Sequence, residues 1–255
     1  MRRLFTLTAI VVATTLVGCE TMKNVDVDKL TAVGSTAMKG ISLTDGDIAT
    51  LSNDSCAAMD KKNQIAPAGS KYATRLSQVV RGMPTSVNGQ TANYKVYMTK
   101  DVNAWAMANG CIRVYSGLMD LMNDDELRGV IGHEIGHVAL GHSKSRMQTA
   151  YAASALRGLA AASGNATVAA LSDGQAGELG EKFVNAQFSQ TQESAADNYS
   201  FDLLTERKLD RKGLVTAFDK LSKLGGGGSG SSLMSSHPPS AQRSANMQKR
   251  LDSAK

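Results

Sequence analysis

The chain has 255 residues, of which 20% are charged and 5% aromatic, and its formal net charge is +5. Two of the 28 basic residues, Arg2 and Arg3, fall in a leader, and the others form no Lys/Arg cluster. With no such cluster, no set of stacking aromatics and no Gly-rich phosphate loop, nucleic-acid and nucleotide binding are excluded as readings, and the charges describe a solvated surface.

The leader combines Arg2 and Arg3 with an apolar run over residues 4–17. This is shorter than the roughly 20 residues of a membrane-spanning helix, and it has the charged start and small-residue end of a secretory signal. Leu16-Val17-Gly18-Cys19 resembles a bacterial lipobox, which implies cleavage before Cys19 and lipidation of that cysteine. An ordinary signal peptide with an incidental cysteine is the other reading. Glu20, rather than Asp, follows, and by resemblance to lipoprotein sorting signals it directs the chain to the outer membrane. The expected organisation is a lipoprotein signal over 1–18, a lipidated tether over 19–43 and one domain over 44–255. With Cys19 lipidated, Cys56 and Cys111 remain as an even pair in an oxidising compartment, either bonded or as two buried thiols.

Thr44 followed by Asp47 reads as an N-cap with an acidic third residue, and Ile48, Leu51, Ser55 and Met59 repeat at helical spacing. A second helix is predicted over about 70–81, with Tyr72, Leu76, Val79 and Val80 inward, ending before Gly82 and Pro84. Asn88-Gly89 marks a turn. Strands are expected over 94–98 and 112–115, separated by residues 103–108 and the turn pair Asn109-Gly110. Trp105, Met107 and Val114 read as core residues of this small sheet, and an open edge of it would suit an extended substrate chain.

The next stretch, residues 127–142, reads LRGVIGHEIGHVALGH. Asn123, Asp124 and Asp125 offer an N-cap and acidic first-turn residues, and Leu127, Val130, Ile131, Ile135 and Val138 supply an apolar helix face. Residues four apart on a helix are about 40° apart in angle and about 6 Å apart along the axis, so His133 and His137 can reach one cation. Glu134 then sits beside it. Zinc held by two histidines and one further ligand keeps a place for water, whose proton an adjacent carboxylate can take. That chemistry suits amide hydrolysis.

Residues 150–177 are rich in Ala, Gly and Ser and read as a solvated helical excursion, with a mobile flap as the minority reading. Glu193 is the candidate third ligand, on a helix expected from about 178 to 206 with Leu179, Phe183, Ala186, Ala196 and Leu203 on its apolar side. His142 competes for that place but lies five residues after His137, where the metzincin pattern needs six. It reads instead as a histidine closing the helix, near its negative end. Leu214, Val215, Phe218 and Leu221 predict one more helix. Residues 225–232, a Gly/Ser stretch, lead from it to His237-Pro238-Pro239.

The stretch HEIGHVALGH, the Glu-Ser-Ala-Ala-Asp element at 193–197, the segment NAWAMANGCIRVYSGL and His237-Pro238 together resemble the HtpX and CAAX-prenyl-protease family of gluzincin metallopeptidases. The resemblance covers nearly the whole domain from about residue 43. It implies an α+β fold, mainly helical and zincin-like, with a small sheet beside the active helix. It also implies one Zn2+ per chain held by His133, His137 and Glu193, with Glu134 as the catalytic base and Asp197 orienting His133. By the same resemblance His237 is a mobile fourth ligand or a transition-state donor, unless it is only a loop histidine, and Arg243 contacts substrate or oxyanion. The function implied is a periplasmic endopeptidase, held to the outer membrane by lipid. Its expected partners are unfolded or misassembled outer-membrane proteins as substrates, with envelope assembly factors or other proteases beside them. A chaperone-like lipoprotein whose zinc site is latched or structural stays open as a second class. A scaffold without catalysis is a third, which the full ligand set with Glu134 disfavours.

Overall fold

The computed structural model describes residues 43–155, 171–225, 232–237 and 241–253. The leader, Cys19, the tether up to residue 42, Pro238 and Pro239 lie outside the described residues, as do 156–170 and most of the Gly/Ser stretch.

Helix α1 (Asp45–Lys62) opens on the capping box expected at Thr44, whose side chain accepts from Asp47 N–H while the Asp47 carboxylate accepts from Thr44 N–H. Helix α2 (Lys71–Val79) is capped by Ser70. A two-stranded hairpin follows, β1 (Ser86–Val87) and β2 (Gln90–Thr91), turning at Asn88 and Gly89 with φ of 51° and 77°. Two successive positive φ values define the turn that matches strand twist, which is why Asn-Gly occupies it.

The main sheet has three strands, β3 (Asn93–Tyr97), β4 (Ala104–Ala106) and β5 (Cys111–Tyr115), in the order β3-β5-β4. β5 runs parallel to β3 and antiparallel to β4, so the segment around Trp105 is itself an edge strand. Central β5 is buried on both faces. Ile112 and Val114 join the larger core with Val96, Ala104 and Ala106, whereas Cys111 and Tyr115 join a second core with Tyr97, Trp105 and helix α1. Arg113 also faces that second core. Its guanidinium grips Asp60 of α1 at 2.8 and 2.9 Å, and the Cys56–Cys111 disulfide lies alongside. The disulfide and this buried ion pair both tie α1 to β5.

The β4 edge is buried and its outward backbone groups are partly taken. The pairing register turns the backbone groups of Ala104 and Ala106 away from β5. Ala104 N–H donates to Asn103 Oδ1, and Ala106 C=O accepts from Ser143. All three β4 residues are buried.

Helix α3 (Ser116–Leu121) leads to α4 (Asp124–Ala139), which carries the H-E-x-x-H motif. Of the three N-cap candidates the structure selects Asn123, boxed with Glu126. At the other end Gly141 turns the chain with φ of 76°, and Asn88 of the hairpin donates to the last carbonyls, Val138 and Ala139. His142 therefore opens α5 (His142–Ala155) rather than closing α4.

The helix expected over 178–206 is two helices, α6 (Asp173–Asn185) and α7 (Gln190–Glu206). Ser189 caps α7 with Gln192 as its third residue, so the local box outcompetes continuation of α6. Ser172 and Gln175 start α6 in the same way, which makes both described ends of the 150–177 segment helical. Helices α8 (Lys212–Gly225), α9 (Ser232–Ser236) and α10 (Ala241–Ser253) complete the chain, α8 carrying the predicted Leu214, Val215 and Leu221 into the core. The result is the expected mainly helical α+β fold, with the small sheet packed against α4.

Helix α4 packs chiefly on α7 and α8. Gly132 and Gly136 make the first contact close: a methyl group on Gly132 would lie 2.5 Å from Ser200 Oγ, and one on Gly136 3.1 Å from Ala196 O. Ser200 Oγ donates to Gly129 O across the same interface.

Gly136→Val should therefore destabilise the domain by about 1–3 kcal/mol, through overpacking against backbone. A denaturant midpoint no lower than that of the wild type would contradict the close approach. Replacing Cys56 and Cys111 together by Ala should remove about 2–4 kcal/mol, because the bond closes a chain separation of 55 residues in the unfolded state. Urea unfolding with and without reductant checks this, and the double variant should be insensitive to reductant.

Candidate metal centre

His133 and His137 project from one face of α4, and the close packing of α7 brings Glu193 to them from its first turn, where the helix end favours an anion. His237 comes from the end of α9, whose Leu233 N–H donates to Val102 O, while Phe188 N–H donates to Ser236 O. Ligand atoms of His133, His137, Glu193 and His237 all lie within 4.8 Å of one another, and all four residues are buried.

His133 Nδ1 is 2.8 Å from Asp197 Oδ1, as the resemblance implies. A carboxylate only accepts, so Nδ1 carries the proton and, with the ring neutral, Nε2 presents a lone pair. That Nε2 is 3.0 Å from His137 Nε2 and 3.2 Å from His237 Nδ1. Glu193 Oε1 lies 3.3 Å from His137 Nε2 and 3.1 Å from His237 Nδ1. Lone pairs and a carboxylate converging at such distances repel one another unless a proton or a metal ion lies among them. Zinc with ligands at about 2.0–2.2 Å sets tetrahedral edges of about 3.3–3.6 Å, a few tenths of an ångström from the separations here, and imidazole with carboxylate is a donor set zinc accepts.

Glu134 lies beside this cluster. Among the described residues its Oε1 has no hydrogen-bond partner, nor has His237 Nε2, and the two atoms are 3.4 Å apart. Buried polar atoms are rarely left so, which marks a place for a further polar group. Burial raises the Glu134 carboxyl above its ordinary pKa. Glu193 goes the other way: burial would raise it too, but the facing His133, His137 and His237 rings hold it well below the carboxylate range. Burial also keeps His137 well below the ordinary histidine value, in the neutral form that can ligate. Two neighbouring carboxylates are thus pushed apart, one toward proton exchange and one toward permanent charge.

Arg243 engages the two carboxylates behind the cluster. Its guanidinium is buried, with Nε and Nη2 each 2.7 Å from Asp197 and Nη1 2.5 Å from Glu193. It balances those two carboxylates. His142, the competing ligand, is likewise outside the cluster, with Nδ1 3.1 Å from Nδ1 of His137, behind the ring.

Phe188 and Arg146 were not legible as site residues. Phe188 lies flat on His137, centroids 3.6 Å apart and planes 15° apart, and the Arg146 guanidinium sits 4.2 Å over the phenyl ring. Both hang on the break between α6 and α7, and the Ser189-to-Gln192 capping spacing was the one signal that could have located it.

The chain matches peptidase family M48 over residues 70–251. It is 52% identical to Metalloprotease LoiP of Escherichia coli (strain K12) over 245 residues, 96% of this chain and 95% of that protein. It is 47% identical to Metalloprotease YcaL of the same strain over 244 residues, 95% of each chain. Protease HtpX of Acinetobacter baumannii (strain AYE) is 54% identical over 37 residues, 14% of this chain and 12% of that protein. A family match across most of the chain, two near-full-length metalloprotease relatives and a metal-sized cluster on its H-E-x-x-H helix agree: the chain belongs to peptidase family M48 and is a metalloprotease.

Proposed function

We propose that the chain is a zinc endopeptidase, tethered by lipid at the periplasmic face of the outer membrane, that degrades misfolded or misassembled envelope proteins. The observation that carries the catalytic reading is the convergence of His133, His137 and Glu193 beside a partnerless oxygen of Glu134. Zinc held there supplies Lewis acidity, bringing the pKa of water toward neutrality and polarising a carbonyl. Glu134 is placed to take the proton of the attacking water and to hand it to the departing amine. Asp197 keeps His133 in its ligating tautomer, and Arg243 keeps both α7 carboxylates charged.

Cellular placement rests on other features. The lipobox-like Leu16-Val17-Gly18-Cys19 with Glu20 supports lipidation and outer-membrane sorting. The Cys56–Cys111 disulfide fits an oxidising compartment. Among the described residues no helix is long and apolar enough to cross a membrane. Unfolded envelope proteins as substrates, and assembly factors or other proteases as partners, follow from the quality-control reading alone.

His237 favours a second reading. Its Nδ1 stands 3.1–3.2 Å from Glu193 and His133, where a fourth ligand would stand, so this conformation reads as a latched site that binds clients without cutting them. The two readings differ in turnover.

Glu134→Gln should lower cleavage of an unfolded test protein by about 10²–10⁴-fold while zinc content and substrate binding persist. Undiminished cleavage by this variant would sink the enzyme mechanism. His237→Ala should raise turnover of a short peptide by vacating the fourth corner. A fall would assign the residue to the transition state instead, and no change in turnover or zinc affinity would remove it from the site.

A further inference from the structure

We infer that His142 is a positioning residue for the metal centre, accepting the Nδ1 proton of His137 and so fixing which nitrogen that ring offers to the ion. The inference rests on His137 being a ligand. Nε2 of His137 already faces Glu193 at 3.3 Å and His133 at 3.0 Å, which leaves Nδ1 as the nitrogen that must carry hydrogen. A buried N–H needs an acceptor, and among the described residues the one given for it is Nδ1 of His142, at 3.1 Å. The rings meet nearly edge to face, centroids 5.1 Å apart with an interplanar angle of 62°, which points one nitrogen at the other rather than stacking them.

The remaining freedom of His137 is rotation of its plane, and Phe188 removes that by lying flat against it. Phe188 is in turn backed by Arg146, which donates to the Val184 and Ala186 carbonyls at the α6–α7 break. The hydrogen bond therefore chooses the tautomer, and the stack chooses the plane.

The two histidines are supported unequally. His133 leans on a carboxylate, His137 on a neutral imidazole. A carboxylate behind His137 would add an anion to a pocket that already buries Glu134, Glu193 and Asp197, and an uncompensated buried charge is costly. A neutral acceptor fixes the tautomer without that cost. Gly141 makes the contact available, because its positive φ reverses the chain between the last turn of α4 and His142.

The test uses the full chain with its metal removed, then titrated with zinc against a chromophoric chelator and, separately, with cobalt. His142→Leu should raise the zinc dissociation constant about 10–100-fold, while His142→Asn, whose Oδ1 replaces the accepting Nδ1, should stay within about threefold of the wild type. The visible absorption of the cobalt form should change in the Leu variant and persist in the Asn variant. Wild-type affinity and cobalt spectrum in His142→Leu would overturn the inference. So would an Asn variant as weak as the Leu variant, because the hydrogen bond would then not be what matters. Failure of the underlying metal reading looks different, since the wild type itself would take up no stoichiometric zinc.

Discussion

Everything at the centre depends on how near two helices can come. Glu193 reaches His133 and His137 because α4 presents Gly132 and Gly136 where α7 presents Ala196 and Ser200, so backbones meet with almost no side chain between them. Interiors pack densely and transmit a misfit of a single methyl group, so this small-residue contact fixes a ligand distance rather than merely filling space. The glycines alternate along α4 with the histidines: Gly132 precedes His133 and Gly136 precedes His137. One helix thus carries both the ligands and the clearance that admits the third.

The electrostatic cost of that arrangement is considerable. Glu134, Glu193, Asp197 and Arg243 are all buried beside three histidines. Charges so placed are tolerated only when paired, and the pairing is divided among elements: Arg243 from α10 serves both α7 carboxylates, and His133 from α4 serves Asp197. Among the described residues Glu134 Oε1 is left without a hydrogen-bond partner, as is the facing His237 Nε2, and it belongs to the residue the mechanism asks to exchange a proton. The site is coherent on this view, with charges that must stay fixed locked in place and the mobile proton given to the unlocked group.

A second, smaller core supports the first from the far side of the sheet. Alternation along β5 sends Ile112 and Val114 toward α4 and Cys111, Arg113 and Tyr115 toward α1. Edge strand β4 lies between α4 and this core, and its outward backbone groups are partly taken by Asn103 and Ser143. The sheet is thereby a wall of the site.

Much could be read from the residues in order, because the signals were local. The capping spacing at Thr44, the Asn88-Gly89 turn, the H-E-x-x-H helix and the Glu193–Asp197 pair each state their own structure within a few residues. The α6–α7 break also has a local signal, in Ser189 and Gln192, masked by the apolar residues that continue across it. What no local pattern could decide was which groups face one another: that Arg243 turns to Asp197 and Glu193, that His142 stands behind His137, that Phe188 lies flat upon that ring, and that Arg113 is buried against Asp60. Those contacts join residues up to roughly fifty positions apart, and their energies arise only once packing has excluded water. Sequence by itself determined the reagents and the helices that carry them, since spacing along a helix is a property of the chain. Tertiary structure decided their partners, because partnership in a dry interior depends on which surfaces close together.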